Sequence, residues 1–117
     1  MKTSELTGAA LDWAVVVAEW IGHEFVKEDR FLKIFLHQNH TGQGYCYSRD
    51  WAQAGPIIER ERIYLSPLSD YWEAQGDGPQ YHDDTLQTGP TPLIAAMRCF
   101  VASRLGDEVD VPEGICQ

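Results

Sequence analysis

Positive charge is scarce in this chain. Nine Lys and Arg stand against 18 Asp and Glu, a formal net charge of −9 at pH 7 over 117 residues. Nucleic-acid and anionic-membrane binders need a basic footprint, so the balance argues against both as partners. The acids are spread along the sequence and not run together, which leaves acidic DNA mimicry the weaker reading of that charge. Cysteine is also rare. Cys46, Cys99 and Cys116 are odd in number and form no Cys-x-x-Cys, so free thiols in a reduced cytoplasm fit better than a disulfide framework. No apolar run approaches the ~20 residues that span a bilayer. The opening Met1–Glu5 leads into a helix carrying Glu5, Asp12 and Glu19, unlike a signal peptide.

Recognisable chemistry is missing too. There is no Gly-x-Ser-x-Gly, and Gly42-Gln43-Gly44 is too short for a phosphate loop and lacks the following helix and lysine. Cys99 reads as a small buried hydrophobe within a helix. His37-x-x-His40 falls where a strand runs into a turn, and His82-Asp83-Asp84 matches no zinc or two-metal pattern. Asp12 with Glu19, and Glu59 with Glu61, are charges on solvated faces before they are acid/base pairs. The expectation is no metal, no cofactor and no catalytic set, which favours a non-enzymatic protein.

What is present is a strongly punctuated pattern of elements. Leu6, Ala10, Trp13, Ala14, Val17 and Ile21 recur at helical spacing, predicting a helix over Ser4–Ile21 with Thr3 or Ser4 as its cap and Gly22 as its stop. Glu5, Asp12 and Glu19 form an acidic stripe opposite. Leu11, Val15 and Ala18 widen the apolar arc, so this helix is either sandwiched between two elements or covered by a second copy in a homodimer. Phe31–Leu36 predicts a strand, His37–Gly44 a turn and Tyr45–Tyr47 a returning strand. Gly55-Pro56 is expected to break any helix through Trp51, leaving one turn over Ile57–Arg60. Arg62–Ser66 and Tyr71–Ala74 predict further strands, and Gln75–Thr88 a loop. The closing helix, Pro92–Leu105, has Thr91 as cap, Pro92 at its first position and Gly106 as stop. Its circumference is almost uncharged, so it is covered on most sides. An acidic tail follows from about Asp107, in which Val109 and Val111 can add an edge strand.

The expected architecture is a single α+β domain over residues 1–117, with two main helices packed on one face of a small, mainly antiparallel sheet. Candidate binding residues concentrate in Tyr45–Pro56, where Tyr47 and Trp51 can stack and Ser48 and Asp50 can make polar contacts. The competing reading pins this loop to the core through Trp51. Arg98 is either a guanidinium offered to an anionic ligand or partner, or half of an ion pair with Asp50, Glu59 or Glu61. Arg104 snorkels at the helix C-terminus.

Three blocks resemble a known family. They are Thr3-Ser4-Glu5-Leu6-Thr7-Gly8-Ala9-Ala10-Leu11-Asp12-Trp13-Ala14-Val15, then Tyr47-Ser48-Arg49-Asp50-Trp51-Ala52-Gln53-Ala54-Gly55-Pro56-Ile57-Ile58-Glu59-Arg60-Glu61, then Gly89–Pro112. Together, in that order, they are similar to the phage NinX-like proteins of tailed phages and prophages. The resemblance implies a small accessory protein acting in a bacterial cytoplasm, and brings no catalytic residues to carry over. His23–Tyr45 and Ser66–Thr88 match none of its blocks. Two functions are expected to compete: binding of a host or phage protein, and a small-molecule or enzymatic pocket between the 47–56 loop and Arg98.

Overall fold

The structure, a computed structural model, describes residues 1–21, 29–40 and 44–115. Among them are four helices, α1 (Gly8–Glu19), α2 (Asp29–His40), α3 (Trp51–Glu61) and α4 (Pro92–Leu105). Three strands, β1 (Tyr64–Pro67), β2 (Trp72–Gln75) and β3 (Gln87–Gly89), form an antiparallel meander in the order β1-β2-β3. This is the α+β class expected.

Helix α4 organises the fold as its sequence predicts. The Thr91 side chain accepts the Ile94 amide, Pro92 occupies the first turn, and Gly106 closes the helix with φ 84°. Every residue from Ala95 to Ala102 is buried. It packs on all three strands and on α1 and α3. Ala74 pairs with Leu65 on one side and Gln87 on the other, and Trp72 with Pro67 and Gly89. The β3 backbone comes so close to α4 that a Cβ at Gly89 would stand 2.8 Å from the Ala95 nitrogen.

The first helix starts later than expected, at Gly8. Residues Thr3–Glu5 form a separate 3-10 turn, because this segment is tied to the end of α4. The Thr3 hydroxyl donates to the Gly106 carbonyl at 2.7 Å, the Thr3 amide to Asp107 at 2.9 Å, and Lys2 bridges Glu108. Thr7 is the cap residue, in extended conformation and with no side-chain cap bond. Val109 also joins through its amide to Met1, so the tail contributes a bridge and no full edge strand. Of the two expected explanations for the wide apolar arc of α1, the sandwich is realised. Leu6, Ala10, Leu11, Ala14 and Val15 join the core around α4. Trp13 and Val16 face Phe35 of α2, with the Trp13 and Phe35 rings edge to face at 5.1 Å.

The Phe31–Leu36 strand is corrected to helix. Phe31, Leu32, Phe35 and Leu36 are half-buried or buried while Lys33 and Ile34 are exposed, a helical spacing that the aromatic content hides. His37 and His40 therefore lie on α2, not in a turn. Their side chains, like Gly22 and residues 41–43, fall outside the described residues. Tyr45–Tyr47 is not a strand but the approach to α3; its rings extend the aromatic row, Phe35 to Tyr45 at 5.8 Å and Tyr45 to Tyr47 at 6.1 Å. The expected break at Gly55-Pro56 is also overturned, since α3 runs through it. Asp50 caps the helix by accepting the Ala52 amide at 2.9 Å, and Pro56 projects from its exposed side. Its missing N–H therefore forfeits one bond on a solvated face. The expected loop over Gln75–Thr88 contains β3 at its end and a 3-10 turn at Asp83–Thr85, whose capping box joins His82 and Thr85.

Candidate functional site

The expected binding loop lies at the meeting of two helix N-termini. An open depression of about 350 Å³ is walled by Ser48, Arg49 and Trp51 at the start of α3 and by Thr91–Ile94 at the start of α4. The first turn of any helix carries amides without intrahelical acceptors and the positive end of the dipole, and two such turns converge here. Arg49 is exposed, with one weak contact to the Cys46 sulfur at 3.4 Å. Trp51 is 53% exposed, so it does not pin the loop to the core.

Ser48 is the least expected part of this wall. It is 3% exposed, and its Oγ is sealed from solvent. Its amide donates to Oδ1 of Asp12 at 2.8 Å. Asp12 is 2% exposed, not on the solvated stripe expected for it. Burial pushes its carboxyl above the ordinary carboxylate range; the Ser48 amide, the Ser48 hydroxyl and the Arg49 charge oppose this without cancelling it. Tyr47, beside Ser48, has its phenol pushed up to about 12 by burial and by the charge of Glu19.

Of the residues singled out from sequence, Ser48 and Trp51 line this depression, Asp50 caps α3 beside it, and Tyr47 stands in the aromatic row behind it. Arg98 is elsewhere. It is 8% exposed, and its Nε and Nη1 donate to the carbonyls of Leu6 and Thr88, both at 2.8 Å. None of the expected carboxylates pairs with it. It satisfies two backbone acceptors where the segment before α1 and strand β3 meet α4, with burial lowering its pKa.

The ion pairing expected of Arg98 belongs to Arg104. Its Nη2 reaches Oε1 of Glu61 at 2.8 Å. Glu61, 6% exposed, also accepts from Arg60 at 2.9 Å, Tyr81 at 2.9 Å and Gln80 at 3.2 Å. Arg60 continues to both oxygens of Glu19, at 2.6 and 3.0 Å. The Phe100 ring lies under both guanidinium groups, 5.7 Å from Arg60 and 5.1 Å from Arg104. This network joins α1, α3 and α4 to the loop after β2. Nothing local signals it, because apart from the adjacent Arg60 the partners are 19 to 43 residues from Glu61. Cys99 is buried as expected, its thiol pushed up to about 12 by burial.

A second depression, of about 430 Å³, opens at the other end of α4. It is lined by His82, Asp84, Thr85, Ala102, Gly106 and Asp107. His82, Asp84 and Thr85 come from residues 63–97, a stretch containing Asp70, Glu73, Asp77, Asp83 and Asp84 but no Lys or Arg. Here the negative end of the α4 dipole adds to the carboxylates. Among the described residues no group of three His, Cys, Asp or Glu can hold a metal ion, and no helix is long and apolar enough to cross a membrane.

No curated protein matches this chain. The family model described as bacteriophage P22 NinX matches residues 2–104. That span takes in the Thr3–Val15 segment tied to α4, all of α3, the sheet and nearly all of α4. The chain therefore belongs to the NinX family of bacteriophage P22.

Proposed function

We propose that this phage accessory protein is a non-enzymatic interaction domain, and that its occupant is a basic segment of a host or phage protein. The observation that carries this reading is the depression at the C-terminal end of α4. Asp84 and Asp107 border it, and Ala102 and Gly106 contribute a methyl group and bare backbone to its lining. A Lys or Arg stem fits over small residues while its charge meets two carboxylates and the carbonyl end of a helix. Leu86, next in sequence to Thr85 of the rim, is 43% exposed and offers an apolar contact beside the acidic one. The charge balance supports the same direction, because an acidic surface steers basic partners toward it.

A short peptide alternating Lys or Arg with Leu tests this, with a Glu-for-Lys/Arg counterpart as control. The basic peptide is expected to move the amide resonances of Thr85, Ala102, Gly106 and Asp107 saturably. The double substitution Asp84→Asn with Asp107→Asn abolishes the response and keeps the fold, since both side chains are exposed. Affinity capture from the lysogenic host, run with both forms side by side, is expected to recover a protein that the double variant loses. A basic peptide that leaves these resonances unmoved overturns the reading. Displacement of the captured protein by duplex DNA favours DNA mimicry instead.

A further inference from the structure

We propose that His82 is a proton switch for the depression at the C-terminal end of α4, weakening its hold on a basic partner as pH falls through the imidazole range. The inference rests on the basic-partner reading above and adds its regulation. His82 lines the depression together with Asp84 and Asp107. Its Nδ1 accepts the Asp84 amide at 3.2 Å and so caps the Asp83–Thr85 turn on the rim. A ring nitrogen accepts a hydrogen bond only while it carries no proton, so this cap belongs to the neutral imidazole with its proton on Nε2. A second proton, on Nδ1, points at the Asp84 N–H, and the bond must break. The backbone is held independently of the ring. The Thr85 amide and the Gln75 side chain both donate to the His82 carbonyl at 2.9 Å. Protonation therefore frees the ring and uncaps Asp84 without dismantling the turn.

Charge decides what the freed ring does. Asp83 and Asp84 stand on its own turn, and Asp107 lies across the depression. The turn packs on α4, which contributes the uncharged Ala102 to the lining and directs the negative end of its dipole there. The cations of α4 are engaged elsewhere, Arg98 with the carbonyls of Leu6 and Thr88 and Arg104 with Glu61. From β2 the turn meets Gln75, which is uncharged. Lys2 and Glu108, paired through their backbones beside Asp107, do not line the depression. An imidazolium in this setting is drawn to the carboxylates that a Lys or Arg of the partner would use. It competes for them and repels the incoming cation, so both effects lower affinity.

The test uses the basic peptide at about pH 7.5 and about pH 5.5, a window above the ordinary carboxylate range. Wild-type affinity is expected to fall about fivefold or more at the lower pH, the scale of one surface charge pair. His82→Asn keeps a side-chain oxygen that can cap the turn at either pH but cannot ionise. Its two affinities are expected to agree within about twofold. In the peptide-free wild type, the Asp84 amide resonance is expected to move with the same midpoint as the His82 ring carbons. Equal wild-type affinity at both pH values overturns the switch and leaves the basic-partner reading standing. So does a full pH dependence retained in His82→Asn, or an Asp84 amide that ignores the ring. A peptide that binds at neither pH overturns that reading and the switch with it.

Discussion

Glu61 and Asp12 are both buried carboxylates, and folding acts on them in opposite directions. Burial opposes the charge of Glu61, but hydrogen bonds from Arg60 and Tyr81, the Arg104 charge and a hydrogen bond from Gln80 outweigh it and hold its pKa below the ordinary value. A depressed folded-state pKa contributes stability that is present above the unfolded pKa and is lost as pH falls through the folded one. Glu61→Gln is therefore expected to cost about 3 kcal/mol near pH 7, a loss that shrinks as pH falls from the ordinary carboxylate range through the lowered folded-state pKa. Asp12 runs the other way. Its raised pKa contributes stability that is present below the unfolded pKa and is lost as pH rises through the folded value. Asp12→Asn keeps an oxygen for the Ser48 amide and removes the buried charge. It is expected to match wild type below about pH 4 and to exceed it increasingly toward neutral pH. Denaturant melts of both variants across pH 3–8 check the pair; parallel profiles would sink the assignment.

Helix α3 and strand β3 carry the backbone constraints. Arg62 ends α3 in the left-handed region at φ 56°, with the Ile63 amide reaching back to Ile58 at 3.1 Å. A side chain there costs about 1–2 kcal/mol, partly offset by glycine's larger entropy loss. Arg62→Gly is thus expected to raise stability by about 0.5–1 kcal/mol, the exposed contact to Asp77 at 3.3 Å being worth little. Gly89→Ala acts oppositely, because its Cβ would press on the α4 backbone. It is expected to lower stability by about 1–3 kcal/mol, read as a fall in melting temperature. These elements also explain how much was legible. The caps of α4 are local, written within a few residues, and so the helix reads correctly from end to end. Two of the departures share one cause: tertiary partners override local preference. The first helix loses its first turn because Thr3 bonds to Gly106, a contact 103 residues away in sequence. Phe31–Leu36 has strand-like composition, yet Trp13 and the aromatic row supply the surface that makes its helical face worth burying. The α3 prolyl break was misjudged because Pro56 costs little on an exposed side. The candidate loop was legible from its residue types. The role of Arg98 was not, since nothing local signals that Leu6 and Thr88 need a donor.

At the scale of the whole molecule, the C-terminal end of α4 meets Asp84 and Asp107. The net charge of −9 adds to the attraction of a cation there. Salt must therefore weaken the proposed contact with a basic partner. Raising NaCl from about 20 to 300 mM shortens the Debye length from roughly 20 Å to 6 Å, which screens the long-range field but barely touches groups in contact. Basic-peptide affinity at the Asp84–Asp107 end is expected to fall about tenfold or more across that range, mainly through a slower association rate. A titration of the basic peptide in that buffer series decides this. An affinity that does not change with salt would show that the acidic field does not steer the peptide, and the reading of this end of α4 would fail.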